Sequence, residues 1–260
     1  MPRMTDWISP SVFPTLPANV VHVWRFSLDI DSETHAKCAD LLSELERERA
    51  ARFALERDRI SFIAAHGILR GLLARYLECA PEIIQFVYGP YGKPAVSHPL
   101  LPHPLSFNLS HSHGLGAVAI VRDREIGVDV EQIRPEFAGE KIAERYFSAK
   151  EVNELKCLPA ERRAEGFFLC WTRKEAYVKA LGEGLRFPLE SFRVSLTPGE
   201  PAELYADEAR RWSIKSFEPS ASSEVTHVGA IVCEGNDWTV QYLDWRGFEE
   251  GVRWQSSKKI

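Results

Sequence analysis

Two long helical stretches bracketing a run of short strands constrain this chain more than any other feature. Residues 57 to 77 carry Ile60, Ile63, Ala64, Ile68 and Leu72 on one apolar stripe at helical spacing, and residues 160 to 180 read as a second long helix. Between them, Leu105–Leu109, Leu115–Val121 and Ile126–Val130 read as strands separated by polar turns. Upstream, Val20–Leu28 is rich in β-branched and aromatic residues and predicts a strand, after which Asp31-Ser32 offers an N-cap for a helix reaching about Phe53. Ile83–Tyr88 predicts a further strand, followed by the turn Gly89-Pro90-Tyr91-Gly92-Lys93-Pro94 and a stiff proline-studded loop from His98 to Pro104. Downstream, helices are expected near residues 140–146 and from Ser148. Strands follow near Phe192–Leu196, Trp212–Ser216, Val228–Cys233 and Trp238–Leu243. The halves share element content without a residue-level repeat, which places a boundary near residues 122–126. The first dozen residues read as an irregular arm and the last dozen as a polar tail.

Bulk properties narrow the classes of function. At 260 residues the chain can bury a substantial core, as one large domain or two small ones. A net charge of −5 provides no global field for nucleic acid or anionic membrane, so any anion site must be a local cluster of positive charge. The five cysteines form no CxxC pair and are odd in number, which fits a reducing compartment. No signal-like N-terminus and no apolar run of membrane-spanning length are read, so a soluble cytoplasmic protein is expected.

The chemistry-bearing residues crowd into the middle of the chain. Asp129 and Glu131 are two apart on a predicted strand and leave the same face, with Val128 and Val130 directed to the core. Two carboxylates held so close repel unless a cation lies between them, and Mg²⁺ favours a few carboxylates together with phosphate oxygens and water. On the second long helix, Trp171, Lys174, Glu175, Val178 and Lys179 fall within one broad stripe, which could present Glu175 to a metal and two lysines to phosphates. Ser110-His111-Ser112 ends a predicted strand with two hydroxyls and an imidazole suited to phosphate oxygens, and Lys93 is fixed between Gly92 and Pro94. Ser148-Ala149-Lys150-Glu151 fits a capping box, in which Glu151 reaches back to the N-cap amide. That structural role and a catalytic one both remain open for Glu151.

The order and spacing of these segments resemble the Sfp-type 4′-phosphopantetheinyl transferases. The family shows a G-K-P turn, F-N-x-S-H-S, G-[IV]-D-[IV]-E, F-S-x-x-E and W-x-x-K-E-[AS]-x-x-K. Here stand Gly92-Lys93-Pro94, Phe107 to Ser112, Gly127 to Glu131, Phe147 to Glu151 and Trp171 to Lys179, within a similar stretch from about Arg49 to Phe192. The resemblance implies an α+β fold of two similar lobes in one chain, residues 1–122 and 123–260, with coenzyme A in the cleft between them. It implies that Asp129, Glu131 and Glu175 ligate Mg²⁺ (or Mn²⁺), Asp129 also serving the coenzyme A site. Glu151 would be general base on a serine of an apo acyl or peptidyl carrier protein, and Lys179 would stabilise or protonate the departing phosphate with Lys174 close by. Ser110 and His111 would contact the adenosine phosphates, and Lys93 would help hold the nucleotide. The products would be holo carrier protein and adenosine 3′,5′-bisphosphate.

One departure concerns the 3′-phosphate of coenzyme A. Arg49 and Arg52 can fill the place of the family's basic residues near the first helix, but Ser61 stands where a later arginine is expected, with Arg57 and Arg59 just upstream. Two other readings use the same residues: a metal-dependent nucleotide pyrophosphohydrolase with water in place of serine, and a non-catalytic module binding coenzyme A or carrier protein. A single chain with both lobes needs no second copy, so a monomer is expected. Carrier proteins of fatty-acid, polyketide or nonribosomal peptide synthesis are the candidate partners.

Overall fold

The computed structural model describes residues 5–97, 104–136, 139–207, 209–220 and 226–248. In chain order the elements are β1 (Val20–Ser27), α1 (Ser32–Leu41), α2 (Glu44–Ala51), α3 (Glu56–Leu77), β2 (Gln85–Tyr88), β3 (Pro94–Ser97), β4 (Leu105–Ser112), β5 (Leu115–Arg122) and β6 (Ile126–Gln132). They continue with α4 (Glu140–Tyr146), α5 (Ala149–Cys157), α6 (Ala160–Leu181), β7 (Arg193–Val194), β8 (Leu204–Tyr205), β9 (Trp212–Phe217), β10 (His227–Glu234) and β11 (Thr239–Asp244). The fold class is α+β.

Two sheets carry the architecture, with strand orders β11-β1-β5-β4 and β6-β10-β9. Period-2 alternation sorts their side chains into three cores. Trp24 and Phe26 of β1, Phe107 of β4 and Val118 and Ile120 of β5 pack with the apolar face of α3. Val128 and Val130 of β6 meet Val21, Val23, Ala117 and Ala119 in a core between the two sheets. Ala230 and Val232 of β10 pack with Phe168, Ala176 and Val178 of α6, which lies across β6 and β10. The layers therefore run helix, sheet, sheet, helix, and the two long helices of the sequence form the outer layers.

Several boundaries differ from the sequence reading. The helix expected from Ser32 to about Phe53 is two helices, because Ser43 starts a second capping box with Glu46. Ile60 lies off the buried face of α3 and is exposed. A strand was not foreseen at Pro94–Ser97, where β3 pairs with β2 as an exposed hairpin. By length and composition α3 could cross a membrane, contrary to the expectation, but its apolar side chains are buried in the core. The C-terminal strand β11 pairs in parallel with β1, from Val20 opposite Thr239 to Arg25 opposite Asp244, so the second half of the chain completes the first sheet. Most of the proline-studded loop and the expected polar tail lie outside the described residues.

Candidate active site

The site is built where the edge of one sheet meets the edge of the other. β6 pairs with β10 on one side only, which leaves alternate backbone N–H groups pointing outward. Side chains of β4 satisfy them: the Asn108 carbonyl oxygen accepts from Val128 N at 2.9 Å, Ser110 Oγ from Val130 N at 3.3 Å and Ser112 Oγ from Gln132 N at 3.3 Å. Phe107 and Leu109 face the opposite way, into the α3 core, so the three polar residues share the inner face of β4. The same hydroxyls then donate to the carboxylates, Ser110 to Asp129 Oδ1 at 2.8 Å and Ser112 to Glu131 Oε2 at 2.7 Å.

Asp129 and Glu131 leave the face of β6 that α6 covers. Gly127 lets the helix come close, since a Cβ there would lie 2.1 Å from Ala176 O and 2.4 Å from Ala180 N. At that approach α6 brings Lys179 Nζ to 2.6 Å from Asp129 Oδ1, 3.1 Å from Ser110 Oγ and 3.3 Å from Val128 O. Glu175, one turn earlier, faces the same group. Burial, and then the charges of Asp129 and Glu131, push its carboxyl up to about 7, with Lys179 opposing. Glu131 is raised by burial and by Asp129 in the same sense.

This donor set suits a divalent cation. Asp129 Oδ2 and Glu175 Oε1 are buried oxygens without a hydrogen-bond partner, and like charges gathered this way favour a positive guest. Among the described residues no three acidic, His or Cys side chains stand close enough together to hold an ion as placed. Lys179 occupies Asp129 instead.

His111 is on the other face of β4. It keeps exposed surface, but protein crowded around the ring and the positive charges of His66 and Lys179 lower its pKa below the usual imidazole value. Ser110 is engaged with Asp129, Lys179 and a backbone amide, so it is a carboxylate anchor rather than a free hydroxyl.

Other expected site residues stand elsewhere. Lys174 points into the C-terminal core, where its ammonium donates to Leu189 O and Phe192 O at 2.8 Å, sits 4.3 Å from the Phe192 ring centroid and pairs with Glu151 at 2.9 Å. Glu151 has no exposed surface, and its carboxylate accepts from Ser148 N and Val194 N at 2.8 Å besides Lys174. A carboxylate so filled has no lone pair facing solvent from which to act as base, so the geometry supports the capping-box reading and corrects the catalytic one. Lys93 is indeed a fixed charge, but it donates to Ala180 O at 2.9 Å and pairs with Glu125 at 2.6 Å, tying the β2–β3 turn to the C-terminal end of α6. Arg49 lies over Phe62, and Arg52 pairs with Glu48 at 3.7 Å on the surface of α2. Asn108 and Ser112 were missed as site builders; their signal was polar residues alternating on the inward face of a strand.

Comparison with known proteins follows the same division of the chain. Residues 125–256 match the 4′-phosphopantetheinyl transferase superfamily, and residues 30–122 match a family described as 4′-phosphopantetheinyl transferase, N-terminal. The 4′-phosphopantetheinyl transferase HetI of Nostoc sp. is 37% identical over 236 residues, covering 91% of this chain and 97% of that one. The 4′-phosphopantetheinyl transferase Sfp of Bacillus subtilis is 30% identical over 190 residues, covering 73% and 82%. A Bacillus anthracis holo-(acyl-carrier-protein) synthase, solved in complex with CoA (3′,5′-ADP), is 24% identical with a TM-score of 0.32. It covers 43% of this chain and 96% of that one. With the family matched over both halves and a relative aligned almost end to end, the chain belongs to the 4′-phosphopantetheinyl transferase superfamily.

Proposed function

We propose that this enzyme transfers the 4′-phosphopantetheinyl arm of coenzyme A to a serine of an apo acyl or peptidyl carrier protein, with a divalent cation, Mg²⁺ first, at Asp129, Glu131 and Glu175. The observation that supports it most is the pair of partnerless buried oxygens, Asp129 Oδ2 and Glu175 Oε1, beside the Lys179 ammonium. A cation there supplies charge neutralisation on the pyrophosphate oxygens.

In the reaction proposed, the serine Oγ forms a bond to the phosphorus that carries the pantetheine arm. The bond from that phosphorus to the bridging oxygen breaks, adenosine 3′,5′-bisphosphate leaves, and the serine proton passes to a carboxylate or water at the site. Lys179 is the residue of this chain best placed to offset charge on the leaving oxygen, since it moves from Asp129 once a cation takes its place. Ser110 and Ser112 hold Asp129 and Glu131 in orientation throughout.

The test is the intact mass of an apo carrier protein incubated with the enzyme, coenzyme A and Mg²⁺, beside an EDTA control. Gain of one phosphopantetheinyl unit, lost with EDTA, is expected. Asp129→Ala should lose turnover by about a thousandfold or more while its melting temperature stays near wild type. Breakdown of coenzyme A without transfer would instead favour the pyrophosphohydrolase reading.

A further inference from the structure

Near the start of α3 a single buried ring gathers two cationic side chains. The Arg49 guanidinium carbon lies 5.3 Å from the Phe62 ring centroid, and the His66 ring stacks on Phe62 with centroids 4.0 Å apart and planes at 27°. His66 is held on its other side by Glu46, whose Oε1 lies 3.3 Å from Nδ1. Glu46 is itself locked, Oε2 accepting from Ser43 N at 2.9 Å and Arg70 Nε at 2.6 Å. Burial alone would raise the Glu46 carboxyl, but hydrogen bonds from His66 and Ser43 and the Arg70 charge bring it down to about 2. With an ionised carboxylate on Nδ1, the proton resides there and Nε2 is the free end of the ring. His66 keeps about a fifth of its side chain exposed, at 20%.

The direction in which this pair faces comes from His111. His111 is electrostatically coupled to His66, to Lys179 and to Asp129, so His66 stands across it from the carboxylate group. The neighbouring arginines are otherwise engaged: Arg57 with Asp58 at 3.3 Å, Arg59 with Glu56 at 2.5 Å and Arg52 with Glu48 at 3.7 Å. Ser61 carries no charge.

We infer that His66, with Arg49 beside it on Phe62, holds the 3′-phosphate of coenzyme A. This rests on the transfer reading above. Coenzyme A carries a reacting pyrophosphate and one separate phosphate on the ribose. The pyrophosphate belongs with the carboxylates and Lys179, which leaves the ribose phosphate for a cation pair on the α3 wall. There His66 binds as imidazolium, donating Nδ1–H to Glu46 and Nε2–H to the phosphate, and its selectivity is for coenzyme A over the same molecule lacking that phosphate.

The experiment is steady-state transfer to an apo carrier protein by the full chain with Mg²⁺, comparing coenzyme A with 3′-dephospho-coenzyme A. In His66→Ala, KM for coenzyme A should rise about tenfold or more with kcat within about twofold, the loss of one charged hydrogen bond. KM for dephospho-coenzyme A should not move, and His66→Arg should restore the preference. His66→Gln, which can still donate to Glu46, carries the test should the alanine variant not fold, and the same selective loss is expected. Equal losses on both substrates in a folded variant, or no loss on either, would overturn the inference. Absence of transfer by the wild type from either substrate would remove the reading of the whole site, and this one with it.

Discussion

Glu151 and Lys174 show how far a motif can be separated from the role its residue types suggest. Both belong to segments that identify the family, yet they meet as an ion pair in the C-terminal core, with no exposed surface on either. Taking one partner away strands the other as an uncompensated buried charge, which costs far more than the pair itself contributes. Glu151→Gln and Lys174→Met should each destabilise the protein by about 3–5 kcal/mol, and the double variant should recover much of that loss. Thermal melts of the three variants check this, and KM for coenzyme A in the folded single variants should stay near wild type. A Glu151→Gln protein with unchanged melting temperature and abolished kcat would return the residue to catalysis. The sequence offered both readings of Glu151 because a capping box is legible in four consecutive residues, whereas the partner Lys174 lies 23 positions away.

At the scale of elements, the site depends on how closely β6 and α6 approach. Val128 and Val130 facing inward and Asp129 and Glu131 facing α6 follow from strand periodicity, and that part was readable beforehand. The closeness was not, because it is set by one glycine against the helix backbone. Gly127→Ala would place a methyl 2.1 Å from Ala176 O, so strand and helix must separate. A loss of about 1–3 kcal/mol or more is expected, with a fall of several degrees in melting temperature. Turnover should drop further than stability alone accounts for, since Glu175 and Lys179 move away from Asp129 together. A variant that melts lower but keeps full kcat would show that the approach distance does not govern the chemistry. The helical stripe was likewise only partly right: Glu175 and Lys179 lie four apart on the face toward β6, while Lys174 and Val178 turn into the core.

The whole molecule is more interwoven than a boundary near residue 122 implies. β11 pairs with β1, Leu243 is buried in the first core, and the valines and alanines of β1 and β5 are covered by the second sheet. A fragment of residues 1–122 would therefore expose both an unpaired β1 edge and an apolar sheet face. Such a fragment is expected to aggregate or to melt without a cooperative transition in circular dichroism. A sharp, concentration-independent transition would show instead that the first lobe is an independent unit.

The amino-acid sequence by itself determined the elements, which faces of them are apolar, and the three carboxylates with their lysine, because periodicity and motif spacing are local properties of the chain. Only the tertiary structure decided what those residues do. Asn108, Ser110 and Ser112 become the seam between two sheets because β6 has unpaired amides exactly where β4 passes, a distance of about twenty residues in sequence that no local pattern records. Lys93 and Lys174 are drawn away from phosphates because a helix C-terminus and a buried carboxylate satisfy a cation more fully than solvent-exposed positions near them. His66, silent in the sequence, acquires a direction from Glu46 and Phe62, which fix its ring in three dimensions.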